Sequence, residues 1–304
     1  MSTPQVGIFA LGTRTHHHLE FDIDPDVPVA DVVAAIRALD EPQVTGGASN
    51  LVIGFGHEWS RRLLADVPDG IGRFEEIRGT DGHVAVATQH DLWVWIHGTG
   101  ADVVLDAAAA VHAALRTVAT IGSETSCFVY HDSRDLTGFI DGTENPPPHE
   151  AATVACVPEG HRGAGGSHVI AQRWVHDLDA FGELDVAHQE RVIGRSKLDS
   201  VAIPRPDRPG NAHIMRAELL DADGEERRIY RRSVPFGDVG ERGLYFLGFS
   251  AEREIFDGML ARMFGTADDG VRDHLLDFSR TVTGSYYFAP SVEALASLDA
   301  GEAS

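Results

Sequence analysis

Residues 137–150 read TGFIDGTENPPPHE. Three consecutive prolines, Pro146 to Pro148, withhold backbone N–H groups from any helix interior or sheet ladder, and Asp141-Gly142 is a tight-turn pair. No regular element runs through such a segment, so it divides the chain. The pattern is alike on either side. Upstream, QVGIFALG (from Gln5), NLVIGFG (from Asn50), HVAVA (from His83) and DLWVWIHG (from Asp91) are short runs bounded by Gly or Asp. Their Val, Ile, Phe and Trp content predicts strands. Residues 28–39 place Val29, Val32, Val33 and Ile36 on one helical face. Residues 101–118 do the same with Leu105, Ala108, Val111, His112 and Leu115, behind Thr99 as N-cap. Downstream, SHVIAQRWVHD (from Ser167), AHIMRAEL (from Ala212), RRIYRRSV (from Arg227), GLYFLGFS (from Gly243) and SYYFAP (from Ser285) read as strands. HQERVIGR (from His188), 251–264 and 270–278 read as helices. The elements do not alternate strictly, so an α+β sheet with its helices on one face is expected rather than a doubly wound one. No residue-level repeat links the halves, but a duplicated α+β unit with its boundary near residue 135 is the expectation: 1–135 and 136–304.

Charge narrows the function. The 304 residues carry 47 acidic and 25 basic side chains, a net −22 and a pI near 5.0. Tracking a phosphate backbone demands the opposite surface, so no nucleic acid is expected. Lys197 is the only lysine, which leaves the positive charge to arginines that prefer paired, bidentate contacts. No run reaches the roughly 18 to 20 apolar residues of a membrane span, and MSTPQVGIFALG lacks the basic start of a signal peptide. Cys127 and Cys156 fall in neither CxxC nor metal-ligand spacing and are expected as unpaired thiols. A reducing cytoplasm suits them.

Three features carry chemistry. Most of the sixteen histidines read as surface or satisfied core residues, and His16, His17 and His18 as a solvated loop. His213 stands apart, at the start of a strand after PRPDRPGNA, where it would project from a fixed scaffold. Arg231 and Arg232 are neighbours in a strand, so one faces inward and the other outward. A buried arginine needs an anion, internal or bound. Asp141 is either the cap of its turn or a carboxylate held rigidly for acid–base work.

GFIDGTENP resembles the GxxDG signature of dye-decolourising (DyP-type) haem peroxidases in an extended form. HDLDAF, HQERVIGRSK, RRIYRRSVPFG, GLYFLGFS, LARMFG and LLDFSRTVTGSYYFAP resemble further family segments in the family's order, from about Tyr130 to Pro290. The pattern is most similar to the compact bacterial B-type (P-type) group. The resemblance implies two ferredoxin-like modules in a dimeric α+β barrel-like arrangement, with haem b in the C-terminal one. It implies a peroxidase that uses hydrogen peroxide to form a ferryl intermediate, which then oxidises dyes, phenolics or other one-electron donors. The alternative it leaves is a haem-processing or haem-binding protein with incidental peroxidase activity. Carried over by position, His213 is the iron ligand, Asp141 the distal aspartate, Arg231 the distal arginine and Arg232 its outward neighbour. Ser233 takes a position held by Asn or Ser. Gly142, Thr143 and Glu144 follow Asp141 beside the haem, and Leu244, Phe246 and Phe249 lie on a strand near its face. Asp277 is the expected carboxylate behind His213, with Asp273 the alternative. Trp174, Tyr230, Tyr245, Tyr286 and Tyr287 are candidates for passing electrons from donors too bulky to enter. No carboxylate cluster marks a Mn²⁺ site. A homo-oligomer is expected by analogy, and SVEALASLDAGEAS shows no docking tail for an encapsulin shell.

Overall fold

The computed structural model describes residues 2–39 and 49–298. In the N-terminal half the strands are β1 (Thr15–Ile23), β2 (Ser49–Phe55), β3 (Ile77–Arg78), β4 (Val84–Ala85), β5 (Leu92–Gly98) and β6 (Ala119–Phe128). In the C-terminal half they are β7 (Ser167–His176), β8 (Tyr230–Arg231), β9 (Val234–Gly237), β10 (Arg242–Ser250), β11 (Ser279–Thr281) and β12 (Ser285–Ala289). The helices are α1 (Val29–Arg37), α2 (His57–Leu63), α3 (Ala101–Leu115), α4 (Pro148–Ala155), α5 (Leu178–Glu183), α6 (Val186–Ile193), α7 (His213–Arg216), α8 (Glu254–Met263) and α9 (Val292–Ala296).

The main sheet runs β11-β7-β12-β2-β5-β1-β6-β9-β10-β8, and a further pairing of β7 with β10 closes it into a barrel. The N-terminal half contributes β2-β5-β1-β6 and the C-terminal half β9-β10-β7-β12. In chain order within each half, both read second, third, first, fourth, the antiparallel ferredoxin-like arrangement. The modules meet edge to edge where Phe288 pairs with Phe55 and Cys127 with Phe236. The fold is therefore α+β, two ferredoxin-like units sharing one closed sheet.

Closure gives each strand an inner and an outer face. The outer face of the N-terminal half, with Leu19, Phe21, Val94 and Ile96, packs against Val32, Val33 and Ile36 of α1 and Val104, Ala108, Val111 and Leu115 of α3. The outer face of the C-terminal half, with Ile170, Trp174 and Tyr286, packs under Phe256 and Leu260 of α8. Inside lie Val52, Trp93, Trp95, Val169, Phe236, Tyr245, Phe249 and Tyr287.

Several elements differ from the sequence expectation. The histidine run is in β1, not a loop, and His16, His17 and His18 are all buried. His16 and His18 enter the barrel, while His17 turns outward to Glu124 at 2.7 Å. A polar triplet misleads because a strand needs only two suitable faces, and the interior accepts imidazoles among its indoles. Gln5 leads not into a strand but into a 3-10 turn, Val6–Phe9. Its side-chain amide takes both the N–H (2.7 Å) and the C=O (2.8 Å) of Ile53, so it borders β2 without a ladder. Ala212 begins a helical turn, α7, rather than a strand, and 270–278 holds only a 3-10 turn, His274–Asp277. Short apolar runs do not separate the two periods. In α3 the buried face uses Val104 in place of Leu105, which is exposed, and Gly100 rather than Thr99 is the N-cap. Cys127 and Cys156 are free and buried, and burial pushes both thiols up, Cys156 to about 12.

The buried imidazoles set an acid limit. Burial, helped by Arg232, holds His16 at about 3 and His97 at about 2, and burial, helped by Arg253, holds His168 at about 4. In the unfolded chain they titrate near 6.5. Below that value the unfolded chain binds protons that the folded one refuses, so stability is present above 6.5 and is lost as pH falls. The unfolding free energy from urea titration should be flat above neutrality and decline below about pH 6.5, by roughly 1 kcal/mol per pH unit for each such histidine. A free energy unchanged between about pH 7 and pH 5 would contradict neutral buried histidines.

Candidate active site

The loop between β6 and α4 is tied down before it reaches Asp141. Asp135 pairs with His176 at the end of β7 (3.1 Å) and accepts the Thr137 N–H at 2.8 Å. Burial opposes an ionised Asp135, but His176 and Thr137 outweigh it and hold the carboxyl at about 2. Phe139 plugs a small apolar cluster with Phe181, Val192 and Ile193. The chain then turns. Asp141 donates its N–H to Ser133 O (3.0 Å), and its own Oδ1 accepts the Gly142 N–H at 2.7 Å. Gly142 has φ 76°, a left-handed conformation that favours glycine. Asn145 ends the turn with a two-way amide clasp: Oδ1 accepts the Arg231 N–H (2.8 Å), and Nδ2 donates to Arg231 O (2.9 Å). Asn145 reads in sequence only as a turn residue, yet it fixes β8 against the loop. Asp141 and Arg231 are thereby brought to one place from positions ninety residues apart in sequence.

His213 opens α7, after the Pro209-Gly210 turn has brought the chain to the mouth of the cavity. Its Nδ1 lies 2.7 Å from Asp273 Oδ2. Asp273 is fully buried, and its Oδ1 caps the following 3-10 turn through the Leu275 N–H at 2.8 Å. Burial disfavours a charged His213, but Asp273 outweighs it and raises its pKa, with Arg231 lowering and Asp141 raising it from farther off. The sequence expectation of Asp277 behind His213 is corrected here. Asp277 sits at the far end of the same turn and pairs with Arg272 at 2.8 Å. The signal for Asp273 was its place just before that turn, where a carboxylate caps the backbone and keeps one oxygen free.

A cavity of ≈ 320 Å³ collects His213, Asp141, Gly142, Thr143, Glu144 and Arg231. Ile214, Ile229, Leu244 and Met259 give it apolar walls. Arginines crowd its rim: Arg195, Arg205, Arg208, Arg227 and Arg228 all line it. Burial, then Arg208 and Arg231, lower Arg195, which keeps an ion pair with Glu144. Arg208 donates to Ile203 O and Met215 Sδ, and among the described residues neither it nor Arg231 has a carboxylate partner. Asp141, Gly142 and Arg231 also line a second cavity of ≈ 370 Å³, together with His16, Arg232 and Ser233. Arg232 is not a solvent-facing neighbour. It donates to Ile8 O and Ala10 O, both at 2.7 Å, with its guanidinium over Trp95. Ser233 stands in the second cavity only, its hydroxyl accepting the Leu247 N–H at 3.2 Å.

Strand alternation corrects the aromatic positions. Leu244 reaches the cavity, and Phe246, on the same face, packs toward the cluster under α8. Phe249 is an odd number of residues from both and points into the barrel instead. Trp174, Tyr230, Tyr245, Tyr286 and Tyr287 are all buried, so none is a surface relay for bulky donors.

Family models for the Dyp-type peroxidase N-terminal and C-terminal regions match residues 8–129 and 132–294. A dye-decolorizing peroxidase of Rhodococcus erythropolis is 37% identical over 286 residues, 91% of this chain and 84% of that protein. One from Mycobacterium tuberculosis is 36% identical over 250 residues, 81% and 74% of the two chains. Among solved structures, a haem-bound variant of DypB from Rhodococcus jostii RHA1 superposes with a TM-score of 0.91 at 33% identity, covering 98% of this chain and 99% of that one. The encapsulated DyP-type peroxidase of Mycobacterium smegmatis gives 0.89 at 33%, covering 97% and 98%. With both regions matched in order around the cavity just described, the chain belongs to the DyP-type peroxidases.

Proposed function

We propose that this peroxidase holds haem b in the C-terminal module, 136–304, with His213 as the iron ligand, and that Asp141 and Arg231 handle the peroxide. The observation that carries the reading is the His213–Asp273 pair facing a cavity that also receives Asp141 and Arg231. The donor set suits the group. One imidazole with no second protein ligand among the described residues matches a metal whose other ligands come from a macrocycle. Apolar walls suit a porphyrin, and arginines without carboxylate partners suit its propionates. Bound there, haem supplies an iron that peroxide oxidises by two electrons and that donors reduce one electron at a time.

The chain's own residues divide the remaining work. His213 donates its Nδ1–H to Asp273, which fixes the tautomer, leaves Nε2 free for the iron and makes it more basic. Asp141 takes a proton from one peroxide oxygen and returns it to the other. Arg231 offsets the negative charge that grows as the O–O bond breaks. We rank Arg231 above Asp141 for that step. Ser233 accepts the Leu247 N–H and keeps its own O–H free to donate to peroxide or water in the cavity it shares with Asp141 and Arg231. Gly142, Thr143 and Glu144 border the haem, and Glu144 keeps Arg195 in place.

The partners in this reading are hydrogen peroxide and small one-electron donors, and the setting is a cytoplasmic homo-oligomer. Two free, buried thiols suit a reducing compartment. Among the described residues no helix is long and apolar enough to cross a membrane. The last residues of the segment expected to lack a shell-docking motif, 299–304, lie outside the described ones.

His213→Ala should abolish the Soret band of haem-loaded protein, and Asp273→Asn should shift it, whereas Asp277→Asn should leave it unchanged. An unchanged spectrum in Asp273→Asn and a shifted one in Asp277→Asn would reverse the two roles. Arg231→Leu should slow the second-order reaction with peroxide by about 100- to 1,000-fold, measured by stopped flow, and Asp141→Asn should slow it less. Iron-free porphyrin released on reduction, with no donor oxidised, would overturn the reading in favour of haem processing. The acid surplus should favour cationic dyes over matched anionic ones at pH 7, with the gap closing as salt is added. Equal kcat/KM values at low salt would contradict this.

A further inference from the structure

α7 has only four residues, where a helix needs about 12 to hold itself. Its shape is imposed from outside, and with it the aim of His213. His213, Ile214 and Ala217 face the cavity. Ala212 and Arg216, one helical turn apart, face the opposite way and are 0% and 3% exposed. Arg216 is thus a charged group withdrawn from water three residues after His213, which is unfavourable unless its donors are met. They are. Nη1 donates to Asp269 Oδ2 at 2.7 Å and Nη2 to Asp269 Oδ1 at 2.9 Å, a bidentate fork. Nε donates to Arg262 O at 3.1 Å, a carbonyl in the last turn of α8. Arg262 in turn donates Nη2 to Met215 O at 2.7 Å. Arg216, then the Val271 N–H, hold the Asp269 carboxyl at about 2, so the pair is charged at any pH above that value.

Two stretches of chain, 211–216 and 269–274, are joined at three levels in antiparallel order. At one end His274 donates its N–H to Asn211 O at 2.9 Å. In the middle His213 Nδ1 meets Asp273 Oδ2 at 2.7 Å. At the other end Arg216 grips Asp269. The outer two links do not touch the cavity, yet they fix the separation across which the middle bond forms. The Asn211–His274 link is a single hydrogen bond and acts as a pivot. Only the fork stops α7 from turning about it.

We propose that Arg216 and Asp269 are positioning residues for the iron ligand: their fork sets the length and angle of the His213–Asp273 bond, and so how strongly His213 Nε2 donates to iron. The proposal rests on the reading of His213 as that ligand. A carboxylate behind the imidazole makes Nε2 more basic only while the hydrogen bond between them is short and aligned. A more basic ligand favours ferric over ferrous iron, so an intact fork keeps the reduction potential low. When the fork is released, α7 turns about its pivot and the Nδ1–H no longer points at Asp273 Oδ2. The ligand weakens although no residue of the cavity has changed. Lysine at 216 cannot replace the fork, because an ammonium lacks the planar pair of donors that meets a carboxylate side-on.

The test compares haem-loaded wild type with Asp269→Asn, Arg216→Lys, Asp273→Asn and the double variant Asp269→Asn with Asp273→Asn. The Asp269 side chain is 45% exposed, so an isosteric amide is accommodated there. Two quantities are read: the midpoint potential of the ferric/ferrous couple, and the iron–imidazole stretching band of the ferrous protein by resonance Raman. Asp269→Asn and Arg216→Lys should each raise the potential and lower the band frequency, in the direction of Asp273→Asn and by less. The double variant should match Asp273→Asn alone, because the fork acts only through that bond. Glu241→Gln, which removes the Arg173 ion pair on β10's side of the sheet (2.8 Å), controls for the loss of an ion pair and should move neither quantity. Potential and band unchanged in Asp269→Asn and Arg216→Lys, while Asp273→Asn shifts both, would mark a pair that serves stability alone and overturn the proposal. Additive shifts in the double variant would overturn it too, and both results leave the peroxidase reading standing. A Soret band that survives His213→Ala removes the ligand reading and the proposal with it.

Discussion

Closure of the sheet is the constraint on which the rest depends. Once β7 pairs with β10, and β12 and β9 pair with the N-terminal strands, no residue of the barrel can choose its side independently of its neighbours. Alternation then sorts chemistry. Arg231 goes to the cavity that holds His213, and Arg232 to the rim of the barrel over Trp95. Leu244 goes to the same cavity and Tyr245 to the interior. One strand thus serves two environments a backbone's thickness apart, which is how an active site and an aromatic interior come to share a border.

The two modules have one topology, yet the cavity that receives His213 lies in the C-terminal one, and the reason lies in their crossovers. In the N-terminal module, residues 24–48 connect β1 to β2 and carry α1, whose Val32, Val33 and Ile36 press onto the sheet beside α3. In the C-terminal module the equivalent connection, 177–229, carries α5, α6 and α7. The last of these stands away from the strands and presents His213, while Asp273 reaches it from beyond α8. Space left between that connection and β10 becomes the cavity. The shared strand order supplies the frame, and the longer crossover supplies the site.

What was legible in the sequence follows the same physics. Strands with strong β-branched and aromatic content, such as β7 and β10, could be read, and so could a long helix such as α3. The Asp141 turn was legible because Asp-Gly and three prolines leave little choice of conformation. The contact between Asp273 and His213 was offered only as the alternative to Asp277, because it joins residues sixty positions apart through a turn that looked like a helix. His16 and His18 were misread because polarity is a poor guide inside a barrel that already contains indoles and phenols to stack on. Phe249 is the instructive error. Its parity relative to Leu244 and Phe246 was in the sequence and already forbade a shared face.

Charge completes the argument, because it is distributed against the grain of the composition. A chain with 47 acids and 25 bases nonetheless gathers Arg195, Arg205, Arg208, Arg227, Arg228 and Arg231 around one cavity. Crowding like charges is unfavourable unless an anion relieves it, and the neighbouring carboxylates are only partly sufficient. Glu144, Glu218, Glu252 and Glu150 neutralise four of the six, leaving Arg208 and Arg231 for what binds. The acidic exterior therefore keeps general anions at a distance while the cavity stays cationic where a propionate or a peroxide anion must be met. The barrel obeys the opposite rule, holding its imidazoles neutral beside Arg232. Acid lowers the repulsion that anionic donors meet at the surface, but it also strains the barrel by asking those imidazoles to charge.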